Sequence, residues 1–153
     1  MNRVFCYGSN DPDQLLERLG LGSINTKPAV LKGYKRVFRG FSQHWQCGTA
    51  SVIKDSESVV YGFAVLLTKE QLKILDGFEG YFGKNRNNYY ERIKVEIENY
   101  HDVPTESWIY VRSSRHKFYE PSEKYLKAVC KTINTHWRNS DGSKVKPKDI
   151  PIQ

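Results

Sequence analysis

A carboxylate set between two glycines is the first pattern in this sequence that could carry proton-transfer chemistry. In segment 76–80, DGFEG, Glu79 follows Phe78 near the predicted end of a helix. Burial beside an aromatic ring raises the pKa of a carboxyl group from about 4.3 towards the range that suits a general base at neutral pH. A solvated glutamate at a helix end has the same pattern, so the segment alone leaves both interpretations open. Asp76 is a weaker candidate, expected to bond to nearby backbone and hold the turn.

A second pattern is the turn that ends the first predicted strand. In segment 4–10, VFCYGSN, an apolar run stops at Tyr7-Gly8-Ser9-Asn10. Gly8 tolerates backbone angles that other residues resist, so successive N–H groups could converge on an anion or a carbonyl oxygen. The helix predicted from Asp11 adds a positive electrostatic field at its N-terminus, which stabilises a nearby anion by about 0.3–1 kcal/mol. The alternative is an ordinary tight turn, which Gly, Ser and Asn also favour.

Other reactive side chains give weaker signals. Ser9 has no histidine in a motif that would activate it, and Cys6 is expected to be a small core residue of the first strand. Most tyrosines are expected to pack with a hydrated hydroxyl group. Several of them stand beside the two patterns or at element starts: Tyr7, Tyr81, Tyr89, Tyr90, Tyr119 and Tyr125.

Helix signals place both patterns at element ends. Asp11-Pro12 predicts a helix that stops at Gly20, and a capping box from Thr68 to Gln71 opens the helix that leads to Glu79. Pro121 is predicted to start the longest helix, with apolar residues at helical spacing: Leu126, Cys130, Ile133 and Trp137.

Strands are expected between these helices, and in the segment 90–97 the residues Ile93, Val95 and Ile97 are predicted to share one face. The predicted strands are 3–7, 34–38, 49–53, 59–67, 90–97 and 107–111. The order β-α-β-β-β-α-β-β-α predicts an α+β fold, a small mixed, partly closed β-barrel flanked by helices. Residues 1–138 are predicted to form one domain and residues 139–153 a loosely ordered tail.

Composition narrows the function classes. The 153 residues carry a net charge of +7, but the basic residues are scattered, which favours a solvated basic surface over nucleic-acid binding. The four histidines show no pairing typical of a metal site, and the three cysteines are expected to be reduced thiols in a cytoplasmic protein. No apolar stretch is long enough to span a membrane, and no secretory signal is visible.

Five segments together resemble one family more specifically than any of them alone: YGSN at 7–10, VYGFAV at 60–65 leading into LKILDGFEG at 72–80, YYERIKVEI at 89–97, and PSEKY at 121–125. The sequence resembles the γ-glutamylcyclotransferase family, including its AIG2-like relatives, over about residues 3–135. The sequence departs from the pattern of that family at three places. Cys6 stands where the family often has a small alanine-like residue, Asp11-Pro12 stands in place of leucine, and the loop at 81–88 is basic and rich in asparagine. The YGSN form is similar to the branch that acts on γ-glutamyl amino acids, and the branches for glutathione and γ-glutamyl-lysine look more distant.

The resemblance implies a small β-barrel with a cavity and an enzyme that needs no cofactor. Glu79 matches the acid/base of that family, and Tyr125 matches a tyrosine of its final helix. The expected substrate-side residues are Val4, Phe5, Cys6, Tyr7, Gly8, Ser9, Asn10, Tyr90 and Tyr125. Lys84 or Arg86 could attract a second carboxylate of the substrate, although a solvated loop is the expected state of this segment.

The implied reaction is attack of the α-amine of a γ-glutamyl compound on its own γ-carbonyl, which gives 5-oxoproline and a free amine or amino acid. A small γ-glutamyl compound is the expected partner, with neither nucleic acid nor membrane, and a homodimer is possible. Two alternatives stay open. One is a related cyclotransferase that removes a γ-glutamyl protecting group in metabolite biosynthesis. The other is a non-enzymatic basic binding module, motivated by the net charge of +7.

Overall fold

A computed structural model describes residues 1–99 and 101–152 of the chain. Strands β1 to β5 in this part are Asn2–Cys6, Thr26–Ser42, Cys47–Leu67, Glu91–Asn99 and Pro104–Val111. Helices α1 to α3 are Pro12–Leu19, Lys69–Glu79 and Glu123–Asn134, and a 3₁₀ turn spans Pro147–Asp149. None of the described helices is long and apolar enough to cross a membrane.

The strands form a closed barrel in the order β1-β3-β2-β4-β5. β2 and β3 make a long antiparallel hairpin, while β1 pairs antiparallel with β3 and closes the barrel by a parallel contact with β5 at Val4↔Trp108. The α+β class and the helix-flanked barrel predicted from the sequence are confirmed, and the barrel is fully closed.

Two strand assignments were predicted wrongly. The predicted strands 49–53 and 59–67 are two parts of β3, and β2 begins well before residue 34. The polar run at 55–58 resembles a turn, but it forms an irregularity inside the hairpin: Lys32 pairs with Val59, and Tyr34 pairs with Lys54. Residues 55–58 of β3 stand opposite the single residue Gly33 of β2, whose φ is 81°, and the pairing resumes on both sides of this irregularity.

The apolar face predicted for β4 is buried only in part. Val95 and Ile97 are buried, but Ile93 is 41% exposed. β4 pairs with β2 only near its far end, at Val30↔Glu98 and Ala29↔Asn99. The core therefore does not cover the first half of β4.

The helix caps predicted from the sequence are confirmed. Asp11 caps α1 by accepting a hydrogen bond from the Gln14 N–H, and Gly20 ends the helix in the left-handed conformation. The Thr68–Gln71 capping box opens α2. Gly80, with φ of 68°, ends that helix directly after Glu79.

Helix α3 is shorter than its predicted span. Ser122 caps its start, and the first helical residue, Glu123, lies two positions after the predicted start at Pro121. The helix ends at Asn134, so Trp137 lies beyond it. The Trp137 side chain is held differently, because its Nε1 donates to the Gly62 carbonyl at 2.8 Å.

Two apolar clusters meet along β1, because alternate residues of a strand point to opposite faces. Phe5 belongs to the cluster inside the barrel and under α3, together with Tyr125. Val4 and Cys6 belong to the cluster under α1 and α2. Both sides of β1 are therefore fixed by packing, and the turn that follows it starts from a rigid support.

Residues after α3 also contact the core. Ile150 is 5% exposed and packs in the barrel cluster. The Asn134 side chain bonds to both backbone groups of Val145, at 2.8 and 2.9 Å. The domain boundary predicted after residue 138 stays a prediction.

Candidate active site

The turn after β1 presents backbone donors towards a cleft. Within residues 1–99 and 101–152, the N–H groups of Gly8, Ser9 and Asn10 donate to no protein acceptor. Arg36 of β2 holds the start of the turn, because its Nη2 and Nε donate to the Tyr7 carbonyl at 2.8 and 3.1 Å. These free N–H groups can receive an anion or a polarised carbonyl oxygen.

The reason for glycine at position 8 differs from the one predicted. Its φ does not lie in the left-handed region, so the backbone angle does not require glycine. A Cβ at this position would stand 3.4 Å from both the Ala50 Cβ and the Tyr125 hydroxyl. Glycine here keeps the backbone close to the cleft wall.

Glu79 lies at the last position of α2 and points towards the turn. Its side chain is 11% exposed, and its Oε1 accepts a hydrogen bond of 2.6 Å from Asn10 Nδ2. Arg18 of α1 links the two, since its Nη1 donates to Asn10 Oδ1 at 2.9 Å and stands 3.9 Å from Glu79 Oε1. The carboxylate therefore faces the turn across one cleft.

Burial is the main influence on the pKa of Glu79. It raises the pKa above the ordinary value of 4.5, and the negative charge of Asp76 raises it further. The hydrogen bond from Asn10 and the charges of Arg18 and Arg112 act in the opposite direction. The result is a carboxyl group poised to exchange a proton closer to neutral pH than an exposed glutamate.

Asp76 has a different role from the backbone contact that was predicted. Its Oδ2 forms an ion pair of 2.6 Å with Arg92, and its Oδ1 accepts a hydrogen bond of 2.6 Å from the Tyr110 hydroxyl. The Tyr110 carbonyl in turn accepts a hydrogen bond from the Tyr7 hydroxyl at 2.5 Å. Asp76 thus ties α2 to the strands below the turn, and it leaves Glu79 as the carboxylate of the cleft.

Tyrosine side chains also line the cleft that contains Glu79. Tyr125 of α3 accepts a hydrogen bond from the Ala50 N–H at 2.8 Å. The Tyr90 hydroxyl donates to Thr49 Oγ1 at 2.7 Å. Burial raises the pKa of Tyr7, Tyr90 and Tyr125 above the usual 10, so all three stay protonated at neutral pH. They can donate or accept hydrogen bonds but do not act as bases.

The Cys6 thiol is similarly unreactive. It is 3% exposed, and burial together with the nearby charge of Glu79 raises its pKa. A neutral buried thiol packs as a small apolar group.

All the residues predicted to form the site line one small cleft of about 40 Å³. They are Val4, Phe5, Cys6, Tyr7, Gly8, Ser9, Asn10, Glu79, Tyr90 and Tyr125. A larger cavity of about 600 Å³ adjoins the cleft and shares Ser9, Glu79 and Tyr90 with it. Lys84 and Arg86 are among the described residues but line neither cavity.

Several contributors were missed by sequence reasoning. Ala50 and Tyr110 line the cleft, while Arg18 and Arg36 hold its walls. Each is brought to the cleft by long-range packing, and none belongs to a motif that could have identified it. In the described part of the chain, no cluster of three or more His, Cys, Asp or Glu residues could hold a metal ion.

Comparison with known proteins places this geometry in a family. A family model described as gamma-glutamyl cyclotransferase, AIG2-like, matches residues 4–127. The chain belongs to this family. The matched segment of the cyclotransferase family contains the turn, Glu79, Tyr90 and Tyr125, and ends within α3. A comparison with curated protein sequences finds no match.

Solved structures share the fold of this cyclotransferase-family chain. A structure named gamma-glutamyl cyclotransferase has a TM-score of 0.83 at 22% identity, covering 99% of this chain and 89% of the other. A protein from Homo sapiens described as uncharacterized has a TM-score of 0.81 at 22% identity, with the same coverage. A yeast gamma-glutamyl cyclotransferase described as specific to glutathione is more distant, at 12% identity and a TM-score of 0.50, covering 93% and 83%. At these identities, the likeness shows the fold.

Proposed function

We propose that this protein is a γ-glutamylcyclotransferase. The α-amine of a bound γ-glutamyl amide attacks its own γ-carbonyl carbon, the bond from that carbon to the leaving amine breaks, and the products are 5-oxoproline and a free amine. The observation that carries the proposal is Glu79, buried at the end of α2 and facing the free N–H groups of the turn across one cleft.

Glu79 serves as both base and acid in this proposal. It takes a proton from the α-ammonium group so that the nitrogen can attack, and it returns a proton to the departing amine. Its raised pKa supports this role, because a carboxyl group that exchanges protons nearer to neutral pH can do both steps.

The turn supplies the electrostatic part of catalysis. The N–H groups of Gly8, Ser9 and Asn10 are free to bind the α-carboxylate or the oxyanion that develops on the γ-carbonyl. Loss of one donor to such an oxyanion costs about 2.7–4 kcal/mol of transition-state stabilisation.

Beyond the acid/base and the oxyanion donors, the reaction needs mainly correct orientation of the substrate. Nucleophile and electrophile belong to the same molecule, and correct orientation of tethered groups can give effective molarities on the order of 10⁵ M. Tyr7, Tyr90 and Tyr125 form walls of the small cleft, and the γ-glutamyl group binds where this cleft opens into the adjoining cavity at Ser9, Glu79 and Tyr90. The leaving amine then extends into the adjoining cavity of about 600 Å³.

The test is identification of products from γ-glutamyl-alanine, glutathione and γ-glutamyl-ε-lysine. We expect 5-oxoproline and the free amine in equal amounts from at least one of them. The control is the same substrate with an acetylated α-amine, which cannot cyclise and should give no product. Release of glutamate in place of 5-oxoproline, or turnover of the acetylated substrate, would contradict the proposal because both indicate hydrolysis.

A further inference from the structure

We infer, on the basis of the proposed function, that the preferred leaving group is an aromatic or other apolar amine that carries no carboxylate. The YGSN form of the turn favours γ-glutamyl amino acids, which have such a carboxylate. The side chains of the 600 Å³ cavity favour a different substrate, for three reasons.

The cavity has an aromatic lining. Trp45, Phe78 and Tyr89 all face it, and Phe78 is 55% exposed although it directly precedes Glu79. The Trp45 ring packs edge-on against Tyr125, with 5.1 Å between ring centroids, and the Tyr89 hydroxyl donates to the Phe41 carbonyl. These rings are held in place beside the point where the amine would depart, and an apolar group of the substrate would cover their exposed faces.

The arginine that lines the cavity is already engaged. The chain has 24 lysine and arginine residues, yet among the described residues Arg18 is the one that lines this cavity. Its Nη1 donates to Asn10 Oδ1 and lies 3.9 Å from Glu79 Oε1, and its guanidinium carbon stands 4.9 Å from the centre of the Phe78 ring. A substrate carboxylate would have to compete with Glu79 for the Arg18 guanidinium.

Two acceptor groups of the wall, on Glu17 and Gln14, favour a hydrogen-bond donor of the substrate over an anion. Glu17 is an exposed carboxylate on the rim of the cavity. Gln14 Oε1 is buried at the cavity and accepts no hydrogen bond from the described residues. An amine or amide N–H of the substrate can satisfy this oxygen, whereas a carboxylate would meet further negative charge.

The direct test compares γ-glutamyl-phenethylamide with γ-glutamyl-phenylalanine, which differ only by the carboxylate on the leaving amine. We expect kcat/KM for 5-oxoproline release to be about tenfold or more higher for the phenethylamide, since an unpaired charge is penalised in a partly buried site. Equal or reversed values would overturn the preference and leave the cyclotransferase proposal intact. If neither these two compounds nor the three substrates named under the proposed function release 5-oxoproline, both the leaving-group preference and the cyclotransferase proposal are overturned.

Reversing the charge of Glu17 provides a second test of the leaving-group preference. Glu17→Lys places a cation on the rim and should raise kcat/KM for γ-glutamyl-phenylalanine, so that the ratio between the two substrates falls several-fold. Glu70→Lys makes the same charge change on an exposed position of α2 that does not line the cavity, and it should leave the ratio unchanged. A ratio that does not respond to Glu17→Lys, or that responds equally to Glu70→Lys, would overturn the inference.

Discussion

At the scale of single residues, the site depends on a balance of opposing effects on one carboxyl group. Burial favours the protonated form of Glu79, while Asn10 and Arg18 favour the ionised form. Asn10 has a second contact, because its Oδ1 accepts a hydrogen bond from Arg18. One amide side chain thus orients both the carboxylate and the cation that offsets its charge.

Removing the Asn10 amide should change the pH dependence of the reaction. Asn10→Ala deletes a hydrogen bond that stabilises the carboxylate, so the pKa of Glu79 rises and the acidic limb of kcat/KM moves to higher pH. The measurement is a pH profile of 5-oxoproline release, with the exposed Asn87→Ala as a control. A limb that stays in place or moves to lower pH would show that Asn10 does not act on Glu79.

Glu79 should also lower the stability of the fold at neutral pH. Its pKa is raised in the folded state, so ionisation is more costly there than in the unfolded chain. We expect Glu79→Gln to raise the unfolding temperature at about pH 7.5, with a gain that shrinks as the pH falls towards 4.

Thermal unfolding across this pH range measures the effect, with Glu70→Gln on the same helix as a control. A variant that is less stable than the wild type at neutral pH would mean that the carboxylate is well compensated. The raised pKa would then have no consequence for stability.

At the scale of elements, the parts that were predicted correctly depend on local contacts. Asp11, Thr68 and Gly80 mark helix ends through bonds to residues three or four positions away, which a sequence displays directly. The position of Glu79 at the end of α2 is therefore predictable from the residues around it.

The parts that were missed depend on distant contacts. The polar run at 55–58 resembles a turn until the pairing of its flanking residues with β2 is known. Ile93 shares a face with Val95 and Ile97, and its exposure becomes clear only when β4 is seen to pair with β2 near its far end alone. Arg36 reaches the Tyr7 carbonyl from 29 positions away, and no local pattern predicts such a bond.

Arg36 supplies a prediction about how β2 supports the turn. Burial lowers the pKa of Arg36 to about 10, so the group is still charged at neutral pH and donates charge-assisted hydrogen bonds to the Tyr7 carbonyl. Arg36→Met should reduce the free energy of unfolding by about 1.5–3 kcal/mol and lower kcat, because the turn loses its anchor.

Urea unfolding and 5-oxoproline release measure the two effects. Lys35→Met, one residue earlier on β2, is the matched control. Loss of stability with unchanged kcat would show that Arg36 supports the fold without positioning the turn.

At the scale of the whole molecule, the two apolar clusters fix the elements that carry the site. β1 contributes to both, α2 brings Glu79 from one side, and α3 brings Tyr125 from the other. The residues gathered here were predicted as a set. The division into a tight cleft and a larger cavity could not be predicted, because it depends on how the rings of Trp45, Phe78 and Tyr89 are packed.

The C-terminal residues should contribute to stability through Ile150. Because this side chain is 5% exposed and packs in the barrel cluster, Ile150→Ala should cost about 2–4 kcal/mol of unfolding free energy. Denaturant unfolding measures the cost, with the exposed Lys148→Ala as control. A cost under about 0.5 kcal/mol, typical of surface positions, would support the loosely ordered tail predicted from the sequence.

Replacement of the carboxylate tests the central claim most directly. Glu79→Gln keeps the shape of the side chain but cannot exchange the proton, so the rate of 5-oxoproline release from the best γ-glutamyl substrate should fall by about 10²-fold or more. The Glu70→Gln variant should keep the wild-type rate, and both variants should show wild-type circular dichroism. A folded Glu79→Gln protein that releases 5-oxoproline at the wild-type rate would contradict the account.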